Sequence, residues 1–241
     1  MKLQYFMTDD YQNMSQTSAE IIIDTFKRKP DGLYCFAGGD TPVGTLQLLA
    51  TAAKNKEIDL TQAKFIELDE WVGLNPENPG SCISYLKRNL FDPIGIREDQ
   101  VHTFNPLAPN LDTECKLANQ FVEKHGGLTL SLLGVGVNGH LGFNEPYSSF
   151  DANAHVVDLD ETTQNVGGKY FSDKEIDRTK GITLGIRQLL SSSTLIVQAS
   201  GKKKKQAIQQ VLSGEVTAEW PVTSIWLHSN PILIVDKEAV K

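Results

Sequence analysis

Five short apolar runs, each set apart from the next by an amphipathic stretch, place the tightest limit on how this chain folds. The runs are Leu33–Ala37, Lys64–Leu68, Leu128–Gly134, Ser193–Gln198 and Pro231–Val235, and their length and β-branched content are those of strands. Helical spacing is carried by Ser15–Arg28, Pro42–Ala53, Ser81–Phe91, Thr113–His125 and Lys202–Leu212, with Pro42 suited to a first helical turn. Strands alternating with helices need right-handed crossovers, which build a mostly parallel sheet covered on both faces. The expected fold is a doubly wound, Rossmann-like α/β domain. A chain of 241 residues, 40% of them hydrophobic, can bury one sizeable core, so a single domain over 1–241 is expected. The segment 157–176 breaks the alternation. It is polar, contains Gly167-Gly168 and has no clear period, which suits a mobile lid over a site.

Composition removes several classes of function. No stretch approaches the roughly 20 apolar residues that span a bilayer, and Met1-Lys2-Leu3-Gln4-Tyr5 lacks the basic and apolar regions of a signal peptide. A cytoplasmic protein without a membrane partner is expected. Cys35, Cys82 and Cys115 are odd in number and widely spaced, so neither a disulfide framework nor a zinc site is indicated. A formal charge of -7 argues against nucleic acid as a partner, because such binders need a positive field to displace counterions. A small anionic ligand remains compatible if a few cations are placed locally. The one basic run, Lys202–Lys205, reads mainly as a solvated helix start.

In a doubly wound sheet, ligands sit beyond the carboxyl ends of the strands, so chemistry is sought in the loops that follow them. The first is Gly38-Gly39-Asp40-Thr41-Pro42, where glycines let backbone N–H groups approach an anion at a helix N-terminus. Asp40 would repel a phosphate and is expected to turn away and cap the helix. The second, Leu68–Leu74, places Asp69 and Glu70 at a strand end. A carboxylate there can carry a proton between adjacent carbons of an opened sugar, and either acid could do so. The third, Gly134–Pro146, clears side chains from around His140 and keeps Glu145 close enough to orient its ring. His102, His125, His155 and His228 are read as structural. No metal-ligand spacing such as HExxH occurs, so no metal is expected.

Taken together, GGDTP, LDEWVGL and LGVGVNGHLGFNEP resemble, in order and spacing, the glucosamine-6-phosphate deaminase family, and the likeness spans nearly the whole chain. GHLGFNEP is its most specific part, because the related 6-phosphogluconolactonases share the glycine–histidine pattern but continue differently. Within the family the chain is similar to the galactosamine-6-phosphate branch, on LDEWV, PGSC at Pro79–Cys82, KGITLGI at Lys180–Ile186 and SIWLHSN at Ser224–Asn230. The resemblance implies Asp69 as the base between C2 and C1, His140 as the shuttle that opens the sugar ring, and Glu145 as its support. It implies that Gly38, Gly39, Asp40 and Thr41, with Lys204, hold the phosphate. Two positions depart from the family. Asn138 stands where some members have Asp, so it can orient His140 but cannot exchange a proton. Lys169 stands where the lid of other members has a phosphate-gripping arginine, and lysine lacks that bidentate fork.

The implied reaction converts a hexosamine 6-phosphate to a ketose 6-phosphate and ammonia without a cofactor. Galactosamine 6-phosphate is the expected substrate, on Trp71, Cys82 and Trp226-Leu227-His228 near the pocket, and glucosamine 6-phosphate is the alternative. Two other readings stay open: a lactonase in which His140 activates water, and a non-catalytic sugar-phosphate sensor. Against the sensor, little chain precedes the first expected strand at Leu33. A homo-oligomer is possible, although the chain ends soon after its last strand and so is expected to lack the C-terminal extension of the hexameric, allosteric members.

Overall fold

The strand runs are apolar throughout because both faces of the sheet they form are covered. The computed structural model describes every residue except Met1, Ser172 and Lys174. In chain order the strands are β1 (Gln4–Thr8), β2 (Leu33–Phe36), β3 (Lys64–Glu67), β4 (Asp69–Trp71), β5 (Val101–His102), β6 (Leu130–Gly134), β7 (His155–Asp158), β8 (Lys180–Thr183), β9 (Thr194–Ala199) and β10 (Pro231–Asp236). Seven of them make a parallel sheet in the order β1-β10-β9-β6-β2-β3-β5. The helices are α1 (Tyr11–Arg28), α2 (Val43–Lys54), α3 (Cys82–Leu86), α4 (Asp92–Ile94), α5 (Leu111–Lys124), α6 (Glu161–Gly167), α7 (Ile186–Leu190) and α8 (Lys205–Ser213). This is the doubly wound α/β fold expected from the alternation.

Period-two alternation sends successive strand residues into two cores. Tyr34, Phe36, Phe65, Leu130, Leu132, Ile196 and Ile234 pack with Met14, Ile22 and Phe26 of α1, Leu46 and Leu49 of α2, and Leu86 of α3. Leu33, Cys35, Ile66, Leu133, Val197 and Leu233 face the other way, onto Ala118 and Val122 of α5, Leu189 of α7, and Ala207 and Ile208 of α8. No helix among the described residues is long and apolar enough to cross a membrane. All three cysteines are buried and free.

Several features differ from expectation. The first strand is β1, not the run at Leu33. It is an edge strand with exposed side chains that joins β10 through its backbone. A second, antiparallel sheet in the order β4-β8-β7 lies beside the first. The helix expected over Ser81–Phe91 is α only to Leu86 and then widens to a π turn over Lys87–Phe91. Within the segment 157–176, β7 ends and α6 forms, with Asp160 as N-cap. Part of that segment, Ser172 and Lys174, lies outside the described residues.

Chain direction across the sheet reverses at β2, which has β3 on one side and β6 on the other. The loops after β2 and β6 therefore part from each other at their carboxyl ends, and a crevice opens between them.

Candidate active site

That crevice is a cleft of about 1070 Å³ lined by Gly38, Gly39, Asp40, Thr41, Asp69, Asn138, His140, Lys169 and Lys204, nine of the ten residues singled out from the sequence. Glu145, the tenth, stands behind His140. The glycine loop lies tight against α3: a Cβ on Gly38 would come within 2.3 Å of the Cys82 carbonyl oxygen, so only glycine fits there. Gly136 does the same for the histidine, since a Cβ would meet its ring atoms at 2.4 Å.

Asp69 and Glu70 separate at the start of β4, where a strand sends neighbours to opposite sides. Asp69 lines the cleft and is only 7% exposed. Burial, reinforced by the Glu70 charge and opposed by the Cys82 thiol, pushes its carboxyl up to about 8. Glu70 points away and accepts from the backbone N–H groups of Trp71 (2.9 Å), Cys82 (3.0 Å) and Ile83 (3.1 Å), pinning the N-terminus of α3. Of the two acids left open by the sequence, Asp69 is the one in the cleft.

His140 Nδ1 lies 3.6 Å from Glu145 Oε2 and 3.0 Å from the Thr163 hydroxyl. Asn138 donates its amide to Glu145 at 2.8 Å and accepts weakly from the His140 N–H at 3.4 Å, so it orients both partners. Burial tends to raise the Glu145 carboxyl, but the neighbouring His140 ring, with Thr163 and the Asn138 amide, holds it below its ordinary value.

At the other end, Lys204 closes a short 3-10 turn, Lys202–Lys204, ahead of α8. Lys202 and Lys203 are exposed while Lys204 is partly buried. Burial, with the charges of Lys169 and Lys203, lowers its ammonium to about 8 against the opposing pull of Asp40. The expected cap at Asp40 does not form: the N-cap of α2 is Pro42, with no side-chain bond. Asp40 instead accepts from Lys169 Nζ at 2.6 Å and from the Tyr85 hydroxyl at 3.2 Å, because those donors face it across the cleft. Lys169 is thus in the cleft but paired with a carboxylate. Arg178, the nearest arginine along that segment, is turned away onto the carbonyls of Gln164 and Ile176.

The Trp226-Leu227-His228 stretch does not reach the cleft. His228 is buried on the Ser192 carbonyl, Trp226 donates to the Val211 carbonyl, and Leu227 faces solvent, because their 3-10 turn packs on α8. Trp71 and Cys82 do line the cleft. None of His102, His125 and His155 does. Sequence reasoning missed Thr163, Tyr85 and Tyr170. For Thr163 a signal existed, as Asp160-Glu161 is an N-cap followed by a first-turn acid.

A family model described as Glucosamine-6-phosphate isomerases/6-phosphogluconolactonase matches residues 9–234. A glucosamine-6-phosphate deaminase of Clostridium botulinum (strain Loch Maree / Type A3) is 37% identical over 237 residues, covering 98% of this chain and 97% of its own. A solved structure of a monomeric glucosamine-6-phosphate deaminase superposes with a TM-score of 0.94 at 33% identity, covering 98% of each chain. The 6-phosphogluconolactonase of Thermotoga maritima, at 18% identity, a TM-score of 0.77 and coverage of 98% and 100%, shares the fold. With the match spanning nearly the whole chain, this protein belongs to the glucosamine-6-phosphate isomerase/6-phosphogluconolactonase family.

Proposed function

We propose that the protein is a hexosamine-6-phosphate deaminase/isomerase that converts glucosamine 6-phosphate and water to fructose 6-phosphate and ammonia. The observation that carries this reading is the meeting, in one cleft, of a buried carboxyl with a raised pKa, a carboxylate-backed histidine, and a glycine loop facing a partly buried lysine. A carboxyl near neutrality suits proton transfer at carbon, and a cation beside a glycine loop at a helix N-terminus suits phosphate.

The phosphate docks on the amides of Gly39, Asp40 and Thr41 and on Lys204, while the segment 157–176 acts as a lid. His140 moves a proton from the anomeric hydroxyl to the ring oxygen, giving the open aldehyde. Asp69 removes the C2 hydrogen as an ammonium proton passes to O1, forming an enolamine. Protonated Asp69 returns the hydrogen to C1, leaving an iminium at C2. Water adds to that carbon and ammonium departs, so the substrate's own nitrogen and carbonyl supply the electron sink.

Names of the curated relatives favour glucosamine 6-phosphate. Of the features motivating its C4 epimer, Trp71 and Cys82 face the cleft, whereas Trp226 and His228 do not. The test is ammonia release from both epimers by purified protein, with faster turnover of glucosamine 6-phosphate expected. A higher kcat/KM for galactosamine 6-phosphate would reverse the substrate assignment. Acid release from 6-phosphogluconolactone without ammonia from either amino sugar would replace the function with a lactonase.

A further inference from the structure

We propose that Thr163 on α6 is a positioning residue for His140, fixing the ring tautomer so that Nε2 is left free to take a proton in the cleft. This rests on the reading of His140 as the ring-opening group. The Nδ1 atom has two candidate partners, and the carboxylate of Glu145, at 3.6 Å, is beyond hydrogen-bond range. The Thr163 hydroxyl, at 3.0 Å, is within it. Thr163 is 5% exposed, so no bulk water competes for the contact.

Donor counting sets the direction. Glu145 is held ionised and can only accept, and it already receives the Asn138 amide at 2.8 Å and the Asp160 N–H at 3.4 Å. A hydroxyl has one proton to give. If it gave that proton to Nδ1, the ring proton would lie on Nε2, away from the carboxylate oxygen that sits 3.6 Å from Nδ1 and favours a proton there. The order that this carboxylate favours is Nδ1–H donating to the Thr163 oxygen. The proton then resides on Nδ1, and the Nε2 lone pair is available to the substrate.

Thr163 belongs to the helix that covers the cleft, whereas His140, Asn138 and Glu145 belong to the loop after β6. The start of α6 meets this set twice, the N-cap Asp160 donating its N–H to Glu145 and Thr163 bonding His140. The covering helix therefore contributes a member of the acid–base set as well as shielding it.

The experiment compares Thr163→Val, which keeps the shape and removes the hydroxyl, with Thr163→Ser, which keeps the hydroxyl. In the valine variant kcat for ammonia release should fall roughly 10- to 100-fold, the loss expected for one hydrogen bond to an ionising group. KM should stay within about threefold, as should inhibition by the reduced open-chain amino-alditol 6-phosphate, which needs no ring opening; the serine variant should recover most of the rate. Nitrogen-15 NMR of the histidine ring should show His140 protonated on Nδ1 in the native protein, with that tautomer's share reduced in Thr163→Val. Native-like kcat in the valine variant, inhibitor binding that weakens in step with kcat, or a serine variant as impaired as valine would each overturn the proposal. So would an Nε2–H tautomer in the native protein. Absence of ammonia release by the native protein would instead remove the proposed function, and the NMR result would still decide the role of Thr163.

Discussion

Glu67, Asp69 and Glu70 leave the junction of the two sheets with three different tasks, and burial decides the proton count among them. Glu67 Oε2 accepts from the Phe104 N–H at 2.9 Å, and its buried Oε1 has no hydrogen-bond partner among the described residues. Burial and the Glu70 charge push Glu67 well above the carboxylate range, which favours a neutral acid there beside Glu70. Glu70 spends its lone pairs on the N–H groups of Trp71, Cys82 and Ile83. The two residues should therefore respond oppositely to the same change. In Glu67→Gln the carbonyl still serves Phe104 and the side chain stays neutral beside Glu70, so stability and kcat/KM stay near native values. In Glu70→Gln an NH2 group faces backbone donors, which costs about 1–3 kcal/mol for each group left unpaired and loosens α3 from the glycine loop. Denaturant titration of both variants reads the difference, and equal losses would mean that Glu67 is not the neutral member of the pair.

At the level of elements, legibility in the sequence followed burial on both faces. Runs such as Leu33–Phe36 and Leu130–Leu133 were readable because their side chains are buried on both faces. β1 was not, since Gln4–Thr8 is held at an edge by backbone bonds to β10 that leave no apolar pattern. Nor was β4, three residues with two acids, which exists because its backbone pairs with Gly181–Thr183. Loops after β2, β3 and β6 were legible as a site because strand ends in this architecture are where ligands lie. Tyr85 and Tyr170 were not, and for Thr163 only the start of its helix was, because their meeting with the cleft is made by tertiary docking. The basic run shows both outcomes: its 3-10 turn leaves Lys202 and Lys203 exposed and delivers Lys204 to the cleft. Lys204→Ala should raise KM for the sugar phosphate roughly 10- to 100-fold with little change in kcat, because a charge on the non-reacting phosphate binds ground and transition states alike. Lys202→Ala should leave both constants within about twofold, and equal effects at the two positions would indicate a diffuse field instead of a contact.

For the whole molecule, activity requires opposite charge states at the two ends of one cleft. Asp69 must be ionised to take the C2 proton, yet burial, then the Glu70 charge, raises its carboxyl to about 8. Lys204 must be protonated to hold phosphate, yet burial, then Lys169 and Lys203, lowers its ammonium to about 8. In the free protein the competent form grows as pH rises through the first value and shrinks as it rises through the second. The profile of kcat/KM should thus be a bell centred near pH 8. Bound substrate moves both limbs outward, because its ammonium favours ionised Asp69 and its phosphate favours protonated Lys204, so kcat should have the wider plateau. Stability carries the same signs. A carboxyl raised above its unfolded value of about 3.9 contributes fully below about pH 4, and the contribution is lost as pH rises through about 8. Asp69→Asn should accordingly raise Tm more at about pH 8.5 than at about pH 5, while lowering turnover roughly 10²- to 10⁴-fold. A kcat/KM flat between about pH 6 and 9, or an asparagine variant with near-native turnover, would remove Asp69 from the proton transfer.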